Sequence, residues 1–198
     1  MKDYSQSGEQ KIILDYFGDH VGTFLDIGAA DGETFSNTRA LALNGWSGTL
    51  VEPCARSFAK LVELYWDNDN VELVNALVAP LGHTKPTADF YYSRTGNTST
   101  CNTRCNDFEK FQRDYPSEYK KVSVARIEPR EASLMWGECD FISIDAELWS
   151  SGILHSMCQF SFSPKLICAE VGDFDQFFSM VKYNKIATTA NNTIWERV

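Results

Sequence analysis

The sequence has no long apolar run, no block of basic residues, three histidines and a single close pair of cysteines in 198 residues. Each absence closes off a class of function. No window approaches the roughly 20 apolar residues that a membrane-spanning helix needs. The opening stretch, MKDYSQSGEQKIILDYFGDH, is charged throughout and does not read as a signal peptide. The formal net charge of −9 is spread along the chain, which argues against a nucleic-acid partner or a polybasic membrane anchor, since both demand a basic face. A cytoplasmic setting is therefore expected, with no nucleic acid and no membrane as partner. Cys101 and Cys105 form a CxxxC, but Cys54, Cys139, Cys158 and Cys168 are scattered. Reduced thiols and no metal site are expected, with Cys139 and Cys168 in the core. The sequons at Asn97 and Asn191 carry no meaning in that setting.

What is present is an alternation. Short β-rich apolar runs at 22–26, 48–52, 71–75, 140–145 and 165–170 read as buried strands, with helical stretches between them. Residues 34–43 and 55–65 suit helices, the second with Phe58, Leu61, Val62 and Tyr65 on one face, and another helix is expected over about 150–157. Continuous apolar strands alternating with helices predict a parallel sheet covered on both faces. Two runs at 185–190 and 193–198, split by a turn-prone Asn-Asn, read as a hairpin that adds an antiparallel edge. Residues 93–121 are polar and aperiodic, longer than a usual connection, and are expected to be a substrate-binding insertion or mobile loop. The chain reads as one domain, 1–198.

The first specific signal is LDIGAADGETF, residues 25–35. In doubly wound sheets ligands bind at the strands' carboxyl ends. Gly28, Ala29 and Gly32 would let backbone approach a ligand closely. A dinucleotide site needs G-x-G-x-x-G and seats a pyrophosphate on the helix that follows. Here the pattern is G-x-x-x-G with Asp26 before it and Asp31 inside it. Two carboxylates repel a pyrophosphate and suit the cationic groups of S-adenosylmethionine. Glu52, ending the second strand in the LVEP run with Pro53, can accept ribose hydroxyls. Asn75 and Ala76 at the third strand end could read an adenine edge. Each feature alone is equally a tight turn or a solvated strand end; together they favour the cofactor.

These residues, YSQSGEQKIILDYF, FLDIGAADGETFSNTRALALNGWSGTLVEP, VNALVAP and FISIDAELWSSGIL, resemble the FkbM-type S-adenosylmethionine-dependent methyltransferases over most of the chain. The resemblance implies a class I methyltransferase fold: a Rossmann-like, doubly wound α/β architecture with a mostly parallel seven-stranded sheet and an antiparallel strand at the end. It implies that Gln6, Asp26, Gly28, Glu52 and Asn75 line a pocket for S-adenosylmethionine, and Ser36 and Asn37 match the family's S-N-T. Members usually O-methylate hydroxyls on sugars or polyketide-type natural products, so a small-molecule or carbohydrate acceptor is expected.

Methyl transfer to oxygen requires positioning the acceptor and removing its proton. Asp145, Glu147 and Glu170 fall at or just beyond the fourth and fifth strand ends and are the candidate catalytic acids, with Asp173 close behind. Relatives carry D-x-E-G-x-E after the fourth strand. Here Leu148 replaces the glycine and Ser150 the second acid, which weakens the case for a carboxylate-bound metal. Asp145 could instead cap the next helix. Trp149 is as readily core as a sugar platform, His155 reads as a surface or packing residue, and Arg94 and Arg104 default to solvated loop charges. Two other readings stay open. One is an NAD-dependent oxidoreductase, against which the missing middle glycine and Asp31 count. The other is a methyltransferase-like domain that keeps the pocket as a binding or scaffold module, a reading that the altered motif keeps open.

Overall fold

The structure is a computed structural model that describes residues 2–79, 86–93, 119–146, 149–170 and 182–198. The expectations placed on Arg94, Asn97, Cys101, Arg104, Cys105, Glu147, Leu148, Asp173 and most of the 93–121 insertion lie outside the described residues.

Helix α1 (Glu9–Phe17) precedes strand β1 (Thr23–Ile27), helix α2 (Arg39–Leu43), strand β2 (Ser47–Val51), helix α3 (Ala55–Tyr65) and strand β3 (Val71–Val74). Next come β4 (Leu77–Val78), β5 (Thr87–Ser93), β6 (Tyr119–Ile127) and helix α4 (Pro129–Trp136). Strand β7 (Phe141–Ile144), helix α5 (Ser150–Cys158), β8 (Leu166–Glu170), β9 (Tyr183–Thr188) and β10 (Asn192–Arg197) complete the order. Seven strands form one sheet in the order β3-β2-β1-β7-β8-β10-β9. Strands β3, β2, β1, β7 and β8 are mutually parallel, and β10 runs antiparallel between β8 and β9. The expected terminal hairpin is thus β9–β10, with the reversed strand one place in from the sheet's edge. A second, three-stranded sheet orders β4-β6-β5. The architecture is that of the class I methyltransferases.

Strand alternation explains the two cores. Phe24, Leu50, Phe141, Leu166 and Cys168 pack with α1, α2 and α3 on one face, while Leu25, Val51, Ile142, Ile144 and Ile167 pack with α4 and α5 on the other. Successive strand residues point to opposite faces, so a central strand must be apolar at nearly every position. Cys168 is buried and Cys139 packs against the second core, as expected.

Two expectations need correction. The helix read over 34–43 occupies only its last five residues. Ahead of it, Asp31 Oδ1 accepts the Glu33 and Thr34 amides and Ser36 Oγ accepts those of Thr38 and Arg39. Such side-chain bonds offer the backbone an alternative to the helical ladder. Helix α3 has the expected bounds, but it buries Ser57, Leu61 and Tyr65, while Val62 is exposed. Helix α4 opens with a capping box between Glu128 and Glu131 and a proline in its first turn, a local start signal of the usual kind.

Candidate active site

The carboxyl ends of β1, β2, β7 and β8 open onto a cavity of about 350 Å³. Register builds its floor. Asp26 pairs with Ser143 and Ser143 with Cys168, so these three side chains lie in a row on the α1–α3 face of the sheet. Two residues further along each strand, on the same face, come Gly28, Asp145 and Glu170, and Glu170 pairs with Asn192 of β10. A polar row followed by a row with two acids therefore faces a sheet side that is otherwise apolar.

Gly28 is where a side chain is impossible. Its φ is +90°, and a Cβ there would sit 2.0 Å from the Asp145 carbonyl oxygen. The β1 turn and the end of β7 touch at this point, held by the Asp145 amide donating to the Ile27 carbonyl at 2.9 Å. Amides of Gly28 and Ala29 both donate to the Val51 carbonyl, at 2.9 and 3.2 Å. Ala30 then takes a left-handed φ of 49° and donates its amide to Glu52 Oε2 at 2.9 Å. Glu52 Oε1 accepts the Cys54 amide at 2.7 Å, so one carboxyl group fixes both the first and the second strand-to-helix turn.

Two acids of the site, Asp26 and Glu52, are buried, whereas Asp145 is exposed and Glu170 half-buried. Asp26, 5% exposed, is pushed up to about 7 by burial, with the field of Asp145 adding to the rise and the Thr38 hydroxyl bond opposing it. That hydroxyl donates to Asp26 Oδ2 at 2.6 Å. Glu52, 4% exposed, is pushed up to about 8 by burial, against the two amides that bond it. Loss of hydration penalises the charged form of a carboxyl group, so both wait for a cation or a proton. Asn37 donates from Nδ2 to Ser143 Oγ at 3.2 Å and to Cys168 Sγ at 3.5 Å. Its Oδ1 is buried without a hydrogen-bond donor among the described residues.

Three peripheral segments complete the wall. Gln6 comes from the N-terminal strap, Thr34 and Phe35 from the loop before α2, and Asn191 and Asn192 from the β9–β10 turn. The strap and the turn are tied together by Glu9, which is wholly buried. Glu9 Oε1 accepts the Thr189 hydroxyl and Asn192 Nδ2, and Oε2 accepts the Ser7 amide at 2.7 Å. Burial raises the Glu9 carboxyl, but these bonds outweigh it and hold it below the usual carboxylate range. Ser7 Oγ also donates to Asn191 Oδ1 at 3.1 Å. Leu77, Val78 and Phe90 of the small sheet add an apolar side.

Of the residues expected from sequence, Gln6, Asp26, Gly28, Ala29, Ser36, Asn37, Glu52, Pro53, Ala76, Asp145 and Glu170 line the cavity. Asp31, Gly32 and Asn75 do not. Asp31 closes its own turn through Glu33 and Thr34, bonds that, against burial, hold its carboxyl below the usual range, and it lies 3.6 Å from Lys60 Nζ. Gly32 faces α3, where a Cβ would stand 2.4 Å from Leu61 Cδ2. Asn75 is exposed and donates to the Glu52 carbonyl at 2.7 Å, tying β3 to β2. Ser150, at the position of the relatives' second acid, is 3% exposed and accepts the Ala146 amide at 2.9 Å, tying the first residue of α5 back to the end of β7. Trp149 packs against two hydrophobic clusters, and His155 sits on the exposed side of α5 beside Gln159. Among the described residues no group of three or more acids, histidines and cysteines is arranged to hold a metal, and no helix is long and apolar enough to cross a membrane. Sequence reasoning passed over Ser143, Phe90, Asn191 and Asn192. Ser143 was the accessible one, being two residues before Asp145 and thus on its face.

No curated protein is close enough in sequence to count as a relative. Among solved structures, the chain superposes on a protein described as a caffeoyl-CoA O-methyltransferase from Staphylococcus aureus with a TM-score of 0.55, at 10% identity over 99% of this chain and 86% of that one. It matches monomeric WbdD with a TM-score of 0.51 at 11% identity, covering 99% of this chain but 42% of WbdD. The T. thermophilus 16S rRNA N2 G1207 methyltransferase RsmC, solved with AdoMet and guanosine, gives a TM-score of 0.51 at 10% identity over 96% of this chain and 41% of that one. Likeness at such identities speaks for the fold alone. The family described as the methyltransferase FkbM domain matches residues 26–186, which contain Asp26, Glu52, Asn37, Asp145 and Glu170. The chain belongs to the FkbM methyltransferase family.

Proposed function

We propose that the protein is an S-adenosylmethionine-dependent methyltransferase that transfers the methyl group to a hydroxyl of a sugar or another small acceptor. The observation that carries this is the pairing of two buried acids with a buried acceptor that lacks a donor among the described residues. Asp26 and Glu52 are buried acids, and Asn37 Oδ1 is a buried acceptor with no donor among the described residues. A ligand with an ammonium group and ribose hydroxyls satisfies such a set; a pyrophosphate does not. When bound, the cofactor supplies a methyl group on a good leaving group. The protein's own residues would then do the rest. Asp26 and Asn37 hold the amino end, Glu52 accepts ribose hydroxyls, and Ala76, Leu77, Val78 and Phe90 enclose the adenine. Asp145, with Glu147 and Glu170, orients the acceptor hydroxyl and takes its proton. The fold neighbour solved with AdoMet supports the cofactor assignment.

The test is transfer of isotopically labelled methyl from S-adenosylmethionine into a panel of sugars and small phenols, with ligand binding followed by calorimetry and NAD as a control. Binding and turnover, with turnover cut at least a hundredfold in Asp145→Asn, are expected. Binding of NAD in place of S-adenosylmethionine would overturn the reading. Ser150 favours one other outcome: with the relatives' second acid replaced by a buried hydroxyl that bonds the Ala146 amide, cofactor binding without turnover on any acceptor would mark a binding module.

A further inference from the structure

Asn191 and Asn192 enter the cavity from the β9–β10 turn, and that turn leaves them little freedom. The Thr189 hydroxyl donates to Glu9 Oε1 and accepts the Asn192 amide at 3.0 Å and the Asn191 amide at 3.4 Å. The Thr189 amide donates to the Asn192 carbonyl at 2.8 Å. Both side chains are oriented as well. Glu9 is wholly buried and held ionised by its hydrogen bonds, so it can only accept, and the Asn192 side chain turns Nδ2 toward Glu9 Oε1 at 3.1 Å. Its Oδ1, at the other tip of the amide group, has no donor among the described residues. Asn192 lines the cavity and Glu9 does not, so the oxygen is the end that looks inward. Asn191 is set the opposite way. Its Oδ1 accepts the Ser7 hydroxyl at 3.1 Å, which leaves Nδ2 with no acceptor among the described residues. Resting on the methyltransferase reading, we propose that Asn191 and Asn192 are the specificity-determining pair of the acceptor site, a donor beside an acceptor that takes two neighbouring hydroxyls of a neutral polyol.

Register puts the pair where an acceptor has to lie. Asn192 pairs with Glu170 across the antiparallel β8–β10 ladder, so the two side chains share the sheet face that also carries Asp145. In the sheet order β10 stands three strands from β1, about 14 Å away at the usual strand spacing. Glu52, assigned to the ribose, lies at the end of β2 on the opposite side of β1. The cofactor therefore occupies the β2–β1 side, Asp145 stands between, and a ligand that reaches Asn191 and Asn192 sits over β8 and β10. Chemistry then selects its class. A hydroxyl both donates and accepts, so one can accept from Asn191 Nδ2 while its neighbour donates to Asn192 Oδ1. A carboxylate or an ionised phosphate oxygen only accepts and has no proton to give Asn192 Oδ1. An ammonium group only donates and leaves Asn191 Nδ2 unpaired. A polar group left unpaired by its ligand costs affinity, and that cost is what discriminates. Thr189, Glu9 and Ser7 hold both amide groups before any ligand arrives, so little side-chain freedom is lost on binding.

The experiment first measures the affinity of the full chain for S-adenosylhomocysteine by calorimetry. The saturated protein is then titrated with the methyl α-glycosides of glucose, galactose and mannose, followed by saturation-transfer NMR. Galactose and mannose each differ from glucose in the orientation of a single hydroxyl, so the three sugars probe how neighbouring hydroxyls are read. At least one glycoside is expected to bind in the millimolar range, and the three are expected to differ severalfold. Asn191→Asp keeps the oxygen that accepts from Ser7 and turns the donor into an acceptor; Asn191→Ala removes both. Each should weaken the preferred glycoside about fivefold or more and bring the three sugars close to equal affinity. A merely structural role would weaken all three alike and leave their ratio unmoved. Asn192→Ala tests the other half of the pair, with its melting curve recorded beside it because Glu9 loses a donor. Three results overturn the proposal while leaving the methyltransferase reading intact: no glycoside binds the saturated protein, the Asn191 variants keep the glycoside ratio, or they lose S-adenosylhomocysteine instead, which makes the pair a cofactor contact. Failure of the unaltered protein to bind S-adenosylhomocysteine overturns that reading itself.

Discussion

Without ligand, the protein should become less stable as pH rises from about 5 to about 7, the reverse of an ordinary acid-denaturation profile. The cause is the buried pair Asp26 and Glu52, raised from 3.8 to about 7 and from 4.5 to about 8. A group whose folded pKa exceeds its unfolded value keeps a proton that the unfolded chain has released. Its contribution is complete below the unfolded pKa and is lost as pH climbs through the folded one. Each such group costs up to about 1.4 kcal/mol per pH unit, so two groups over two units remove about 5 kcal/mol. For a chain of this size that corresponds to a drop in Tm of roughly 10 °C or more. Glu9, Asp31 and Asp140 are held below the usual carboxylate range, so their opposing gain is complete by about pH 5 and does not mask the fall. Thermal melts at fixed ionic strength across that range, with urea titrations at the two ends, measure it. Asp26→Asn should flatten about half of the slope, and S-adenosylmethionine should restore Tm at the upper end. A ligand-free Tm that is constant or rises would refute the reasoning.

Other substitutions test the geometry directly. Gly28→Ala should cost at least 3 kcal/mol or so in urea titration and abolish ligand binding, because its Cβ meets the Asp145 carbonyl at 2.0 Å and its φ is +90°. Glu52→Gln should cost about 1–3 kcal/mol, since an amide group cannot accept from both the Ala30 and the Cys54 amides as the carboxyl does; loss of ligand affinity in that variant must be read beside its melting curve. Ser150→Glu should lower stability by several kcal/mol, seen as a falling Tm, and confer no metal-dependent gain, because the site is 3% exposed. Glu9→Ala should cost about 2–4 kcal/mol by leaving the Ser7 amide and Asn192 without their acceptor, and should speed amide exchange at residues 2–10 and 189–192.

The strands of the large sheet were legible because each is a short apolar run between polar connections, and parallel strands covered on both faces leave no other pattern. Helix α3 was legible from its period. The loop before α2 was not, because Asp31 and Ser36 satisfy backbone amides locally and composition does not announce that choice. The antiparallel pair β5–β6 was hidden by its lysines, although Val122 and Val124 keep the period of a half-buried strand, and α4 was announced by the capping box between Glu128 and Glu131. In the site, residues at strand ends could be placed from sequence, whereas the roles of Gly32 and Asn75 could not. Whether a small residue in a turn faces a ligand or a neighbouring helix depends on the packing of α3. Asn191 and Asn192 reach the cavity only through the crossing of β10 between β8 and β9, a long-range arrangement that no local pattern encodes.

That crossing has a consequence for biosynthesis. The cavity wall needs Ser7 and Glu9 to meet Thr189, Asn191 and Asn192, positions separated by 180 residues and more. A growing chain can assemble β1 to β8 and bury both faces of that partial sheet while the ligand site still lacks one side. Contacts of such high sequence separation form late and slowly. Ligand-binding competence should therefore appear as the final event of folding, after most of the native secondary structure, and a ligand added during refolding would act by trapping the finished molecule rather than by guiding the chain toward it.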